Sequence, residues 1–250
     1  MSEFARLDIA GNIATLTLNR PDKRNAMSID LLDALRAHVA SLAEMGEGGP
    51  SVLMITGAGR SFSAGMDLKA VLDEPGAPER LLGSIAELTL EVRALPMVVV
   101  GKVNGAAIGG GCGLVAVCDI AVTHPDAKLG YPEVDLGVCP AVVAPWLVRK
   151  VGAGVARRIL LSGGTMSGTD AHHLGLVDQL AEKDQLDAHV AALCERLAAA
   201  GPHALTVTKR LLNELESEGL ADAVRRGAEL SAEVVGGEEA RSRLAKIYGS

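Results

Sequence analysis

The chain has 250 residues, 48% of them hydrophobic and only 2% aromatic, with a formal charge of −7. That length suits one large domain, or one domain with a small appendage, and its core has to be filled by Ala, Val, Leu and Ile, as where helices lie close on sheets. The acidic balance argues against a general nucleic-acid binder, although a local basic patch on an acidic protein can still hold an anionic ligand.

In chain order, Leu7–Ile9 and Ile13–Leu18 flank Gly11-Asn12, which reads as a hairpin. Asn19 to Asn25 is a polar loop. Ser28 is a good cap for a helix through about Ala43, with Leu31, Leu32, Leu35, Val39 and Leu42 at helical spacing. Val52–Thr56 is a short buried strand, followed by a small-residue loop from Gly57 to Lys69. Asp73–Pro78 is expected to be a mobile connector, and Leu81–Leu95 a helix stopped by Pro96. Val98–Val103 begins a second strand, glycine loop and helix, running to about Cys118, and Ile120–Thr123 is a further strand. Strands alternating with helices indicate α/β layering. Pro140–Val151 and Val155–Leu161 read as helices, and Gly163-Gly164-Thr165 turns the chain. Ser167 caps a short helix through Leu174, and Leu176–Leu180 is strand-like. From Asp184 onward the pattern is helical: Gln185–Ala199, Pro202–Glu216, Leu220–Val234 and Glu238–Ile247. The expected organisation is a core over residues 1–183 and a C-terminal helical region over 184–250, whose apolar stripes (Leu186, Val190, Leu193, Leu197) pack on the same core or on another subunit.

The stretch from Met97 to Glu133 organises the chain. An apolar β-branched run leads into closely spaced glycines, Gly105 and Gly109-Gly110-Gly111, and then into a helix. Glycine has no Cβ, so a ligand atom can approach its amide closely. Amides at a helix start lack intrahelical partners and sit at the positive end of the macrodipole. Such a place suits a developing negative oxygen, and equally suits a turn packed against another helix.

Cys112, Cys118, Cys139 and Cys194 form no CxxC pair and lie in apolar surroundings, as buried thiols in a reducing compartment do. Cys112, Cys118 and His124 match no common metal spacing, and His172-His173 belongs on a surface helix. The first ten residues lack the basic and apolar regions of a signal peptide, and no apolar run is long enough to span a bilayer, so a cytoplasmic protein that engages no membrane is expected. Gly-x-Ser-x-Gly, Walker and GxGxxG patterns are absent.

Several segments, in order along nearly the whole chain, resemble the crotonase (enoyl-CoA hydratase/isomerase) superfamily. They are Leu18 to Met27, Ser61 to Lys69, Asn104 to Gly113 with Cys118-Asp119-Ile120 behind it, Tyr131-Pro132-Glu133, and Gly175 to Asp178. The resemblance implies an α/β spiral of ββα units with a C-terminal helical region, assembled as trimers or hexamers. It implies an acyl-CoA thioester as substrate, with coenzyme A part of that substrate and no separate cofactor or metal. Two backbone amides, carried over to Met66 and Gly110, would form an oxyanion hole. Ala64, Asp67, Leu68 and Lys69 would lie along the coenzyme A path, with Arg24 and Ala26 at its nucleotide end. Glu133 matches an acid/base glutamate of the family, and its pKa would have to be raised by burial.

One position departs from the pattern. Hydratases of the family carry a second glutamate where this chain has Gly113, a residue counted with the substrate-binding positions. Glycine cannot hold or protonate a water. One glutamate and an oxyanion hole suffice for a 1,3-proton shift, which points to Δ3,Δ2-enoyl-CoA isomerisation. The alternatives are a hydratase or lyase in which Asp135, another acid or an ordered water replaces the missing glutamate, and an acyl-CoA-binding protein without turnover. Asp135 would face the side of Glu133 if that segment were extended. Leu72, Leu81, Val142 and Trp146 are candidate acyl-pocket residues, with Trp146 better suited to the core.

Overall fold

The computed structural model describes residues 3–67, 76–216 and 218–248. The expected hairpin is β1 (Ala5–Ala10) and β2 (Ile13–Leu18), antiparallel and closed by Gly11-Asn12 with Gly11 at a φ of 57°. From β2 onward the sheet is parallel. The strands β3 (Val52–Gly57), β5 (Val98–Val103), β7 (Ile120–Thr123) and β10 (Gln179–Leu180) follow in the order β1-β2-β3-β5-β7-β10. Parallel neighbours need crossovers. Three are supplied by α1 (Ile29–Glu44), α2 (Ala77–Ala94) and α3 (Gly110–Val117). The Ser28 hydroxyl accepts the Leu31 N–H at 3.3 Å and starts α1, a cap typically worth about 1 kcal/mol.

Both faces of this sheet are covered, which is why its strands are nearly continuous apolar runs. Leu53, Ile55, Val99 and Val103 face the large core, shared with α1, α2 and α3. Val52, Met54, Val98 and Val100 face the opposite way, onto α7 (Leu186–Ala198) through Leu186, Val190, Leu193 and Cys194. The predicted stripe on that helix therefore packs on its own chain.

A second sheet was not visible as strands in the sequence. It consists of β4 (Ser61–Ser63), β6 (Ala106–Ile108), β8 (Lys128–Gly130) and β9 (Thr165–Ser167), in the order β4-β6-β8-β9. Each is three residues long, with β4, β6 and β8 parallel and β9 antiparallel. The chain lays β3 in the large sheet, β4 in the small one, then α2, and repeats this with β5, β6 and α3. This is a spiral of ββα units, the expected α/β architecture.

Beyond the spiral come α4 (Ala144–Val151), α5 (Ala153–Ser162) and α6 (Gly168–His173). After α7 follow α8 (Pro202–Leu215), α9 (Leu220–Gly236) and α10 (Glu238–Tyr248). Val224, Ala228, Ala232 and Val235 of α9 join the large core. Three expectations are revised. Helix α2 begins at Ala77, within the span read as a connector, whose residues 73–75 lie outside the described ones. Only Gln179-Leu180 of the strand-like run pairs in the sheet. Tyr131-Pro132-Glu133 leads into a 3-10 turn over Pro132–Leu136 rather than an extended segment.

Midway along α8, Lys209 is buried and donates to the Met97 carbonyl at 2.8 Å, with Asp119 at 2.7 Å. Asp119 also accepts from Val99 N–H at 2.8 Å and Arg93 at 3.1 Å. This cluster ties the end of α2, the start of β5 and α8 together. No helix among the described residues is long and apolar enough to cross a membrane. Nor do His, Cys, Asp and Glu cluster there in groups able to hold a metal ion.

Candidate active site

Two loops meet where the small sheet gives way to helices. The first runs from β4 through Ala64, Gly65, Met66 and Asp67, and lies beside the turn at Arg24–Met27. Ala64 N–H donates to Arg24 O at 2.9 Å, Met27 N–H to Gly65 O at 2.7 Å, and Asp67 N–H to Met27 O at 2.9 Å. Met27 and Met66 thus form a parallel bridge. Successive amides on an extended chain point to opposite sides, so the Met66 N–H is turned away from Met27 and stays out of this ladder.

Asn25 pins this region from beneath. It is fully buried, and its side-chain carbonyl accepts from Arg20 N–H at 2.8 Å. Its amide donates to Ala58 O and Ser61 O at 2.9 and 2.8 Å. Arg24 and Asn25 are the described non-glycine residues with positive φ, at 52° and 54°. The left-handed conformation is costly for a side chain, and the buried amide network holds it in place. Arg20 reaches the Ala26 carbonyl at 2.6 Å and Asp67 at 3.1 Å. Arg24, Ala26, Ala64, Met66 and Asp67 are therefore brought together, with Arg24 exposed. Leu68 and Lys69, expected on the same path, lie outside the described residues, as does Leu72.

The second loop is Gly109 and the start of α3. Gly109 has a φ of 53° and donates to Gly130 O at 2.8 Å. Gly110 opens the helix, so its N–H has no acceptor within the helix and sits at the positive end of the dipole. The two loops touch: a Cβ on Gly65 would stand 2.6 Å from Ile108 O and 3.7 Å from Gly110 N. The contact leaves no room for a side chain at 65.

Glu133 closes the site. A Cβ on Gly109 would lie 2.7 Å from Glu133 Oε1, so the carboxyl rests against the peptide that leads to Gly110. Glu133 Oε2 is shut off from solvent and has no hydrogen-bond partner among the described residues. Burial pushes the Glu133 pKa up to about 7, opposed by a hydrogen bond from its own backbone N–H and helped to a lesser degree by the negative charge of Asp135. Behind the glycines lies the buried Cys112 thiol, which burial raises to about 12, leaving it protonated and inert.

Asp135 is not a partner of Glu133 on the reacting side. In the 3-10 turn it points to the Gly163-Gly164 bend, where it accepts from Gly164 N–H at 2.8 Å. Its place is that of a turn clamp. Gly113 is buried one turn beyond Gly109, and a Cβ there would stand 2.3 Å from Val143 Cγ1. No side chain at 113 fits unless Val143 moves, a constraint with no signal in the sequence because residue 143 arrives from the turn before α4. Leu81, Val142 and Trp146 are all core residues, and the Trp146 indole N–H donates to the Thr89 hydroxyl at 3.0 Å.

Comparison with known proteins agrees with this fold. The family model for enoyl-CoA hydratase/isomerase matches residues 8–242. A putative enoyl-CoA hydratase of Thermus thermophilus is 36% identical over 222 residues, covering 87% of each chain. The 2,3-dehydroadipyl-CoA hydratase of Escherichia coli is 32% identical, covering 83% of this chain and 81% of its own. Among solved structures, an enoyl-CoA hydratase/isomerase from Mycobacterium paratuberculosis superposes with a TM-score of 0.90 at 28% identity, covering 98% of this chain and 99% of that one. Family match, sequence relatives and superposed fold agree: the chain belongs to the enoyl-CoA hydratase/isomerase family, within the crotonase superfamily.

Proposed function

We propose that the protein is a Δ3,Δ2-enoyl-CoA isomerase that works with a single carboxyl group. The carrying observation is the Glu133 carboxyl, with a pKa of about 7 and one oxygen, Oε2, without a partner among the described residues, lying against Gly109 where the two amide loops adjoin. In this reading the amides of Met66 and Gly110 donate to the thioester oxygen. Glu133 takes a proton from C2 of a 3-enoyl-CoA, and the electron pair of that C–H bond passes into the enolate. The negative charge gathers on the thioester oxygen, where each preorganised amide is worth about 3–4 kcal/mol of barrier. Glu133 then returns the proton at C4 and the double bond settles between C2 and C3. A base with a pKa near 7 is suited to both halves of that exchange.

Arg24, Ala26, Ala64, Asp67, Leu68 and Lys69 are assigned to the coenzyme A side, and Gly113 to the acyl side. Two observations favour one carboxyl over two: Gly113 offers none, and Asp135 is engaged by Gly164. The printed names of the relatives favour the second reading, a hydratase, in which water adds to a 2-enoyl-CoA. A panel of acyl-CoAs assayed in parallel for double-bond migration and water addition separates the two. Fast hydration of crotonyl-CoA without migration would reverse the assignment.

We also assign a homotrimer or a hexamer of paired trimers. The support is the apolar surface left on α8, where Leu211, Leu212 and Leu215 are 53%, 49% and 74% exposed. A monomeric mass by light scattering would overturn it.

A further inference from the structure

Gly113 and Val143 interlock. A Cβ at 113 would meet Val143 Cγ1 at 2.3 Å and Val143 Cβ at 3.0 Å, closer than side chains pack. Val143 is 1% exposed. It stands just before α4, and its carbonyl accepts from Leu147 N–H at 3.2 Å. The segment before it is tied to α9, where the buried Ser231 hydroxyl donates to Cys139 O at 2.8 Å and accepts from Val142 N–H at 3.2 Å. The backbone is therefore tied on both sides of Val143, which holds its Cβ at the 3.0 Å approach whatever the rotamer.

Gly113 is one turn along α3 from Gly109, the residue that carries the Glu133 carboxyl against it, and donates its N–H to Gly109 O at 2.9 Å. Within that first turn Gly111 packs on Ser63, whose hydroxyl is already engaged by Asn25 O and Gly65 N–H, and Gly110 faces apolar groups. A Cβ at Gly110 would meet Met27 Sδ at 3.3 Å and Ile85 Cδ1 at 3.5 Å. A buried water needs two to four polar partners, and the side chains of Val143, Met27 and Ile85 offer it no strong one.

We propose that Val143 is a specificity-determining residue: its isopropyl group, seated in the notch that Gly113 leaves in α3, closes that face of the site to a second acid and to an ordered water. The proposal deepens the single-carboxyl reading and rests on it. With no water held there, the proton that leaves C2 returns to C4, and the alternative bond, from a water oxygen to C3 with a proton to C2, is not made.

The test uses the full chain and two readouts. Val143→Thr keeps the side-chain shape and places a hydroxyl in the wall. It is expected to raise the rate of water addition to crotonyl-CoA about tenfold, the scale on which one changed group redirects specificity. Gly113→Ala is expected to lower the melting temperature by roughly 4–10 °C in the native background, as overpacking does in a domain of this size. In a Val143→Gly background the same change should cost roughly 2 °C or less, because the opposing methyl is gone. Unchanged water addition in Val143→Thr overturns the specificity role, and equal losses from Gly113→Ala in both backgrounds overturn the interlock. Both readouts are independent of isomerase turnover. A native protein that failed to migrate double bonds would therefore defeat the proposed function and leave these two results to decide the role of Val143.

Discussion

Asp119 and Glu133 are both half-buried acidic residues, and they are treated in opposite ways. Asp119 is met by Lys209, Arg93 and the Val99 amide, so two cations and a backbone N–H answer its charge. Glu133 is met by no cation: its Oε2 is buried with no partner among the described residues, and its proton is held up to pH about 7. A carboxylate surrounded by cations is a tie between elements. One left alone in an apolar pocket is poised to exchange a proton, because neither of its forms is strongly preferred near neutrality. Burial by itself does not separate the two, and the partners do.

The comparison is broken most severely at Glu133. Glu133→Gln is expected to lower turnover of a 3-enoyl-CoA by about 10³-fold, within the usual range for a general acid/base, while acyl-CoA binding measured by calorimetry stays near native. Retained turnover would remove Glu133 from the mechanism. Asp119→Ala should act on stability instead. It leaves the buried ammonium of Lys209 uncompensated and is expected to cost about 3–5 kcal/mol in urea unfolding.

The raised pKa makes a third prediction with a definite sign. Glu133 binds its proton more tightly folded than unfolded, so its contribution to stability falls as the pH rises from about 4.5 to about 7. Glu133→Gln removes that penalty and should stabilise the protein by about 1–3 kcal/mol at pH 8, with no gain at pH 4. Turnover needs the ionised form, so kcat/KM of the native enzyme should climb through an apparent pKa near 7. A flat profile between pH 6 and 8 would contradict it. The smallest effect is expected at Asp135. Its charge helps to raise Glu133, so Asp135→Asn should move that acid limb to lower pH and leave the maximal rate within about threefold of native; a fall of about 10²-fold, the loss expected of a general acid/base, would make Asp135 part of the chemistry.

The large sheet and the site were legible to different degrees, for physical reasons. Val52–Thr56 and Val98–Val103 announce themselves because strands covered on both faces are continuous apolar runs. Ser61–Ser63, Ala106–Ile108, Lys128–Gly130 and Thr165–Ser167 do not, since three residues are too few to display a period. Glu133, Met66 and Gly110 were read from the motifs around them, and the structure brings their segments together. Val143 was not read, because nothing in the primary structure says which side chain will fill the space a glycine leaves open. Asn25 stood within a recognised motif, but its part as a buried pin depends on carbonyls at Ala58 and Ser61 that reach it only through the fold.

That pin has an outcome of its own. An amide neither gains nor loses a proton anywhere in the biological range, so the hold of Asn25 on Ala58 and Ser61 is the same whether the medium is acid or alkaline. On the proposed function that region berths the far end of the substrate, and docking and turnover then answer to separate chemistries. Mild acidification would idle the protein with its cargo still aboard, and a return to neutrality would restart it without a fresh encounter.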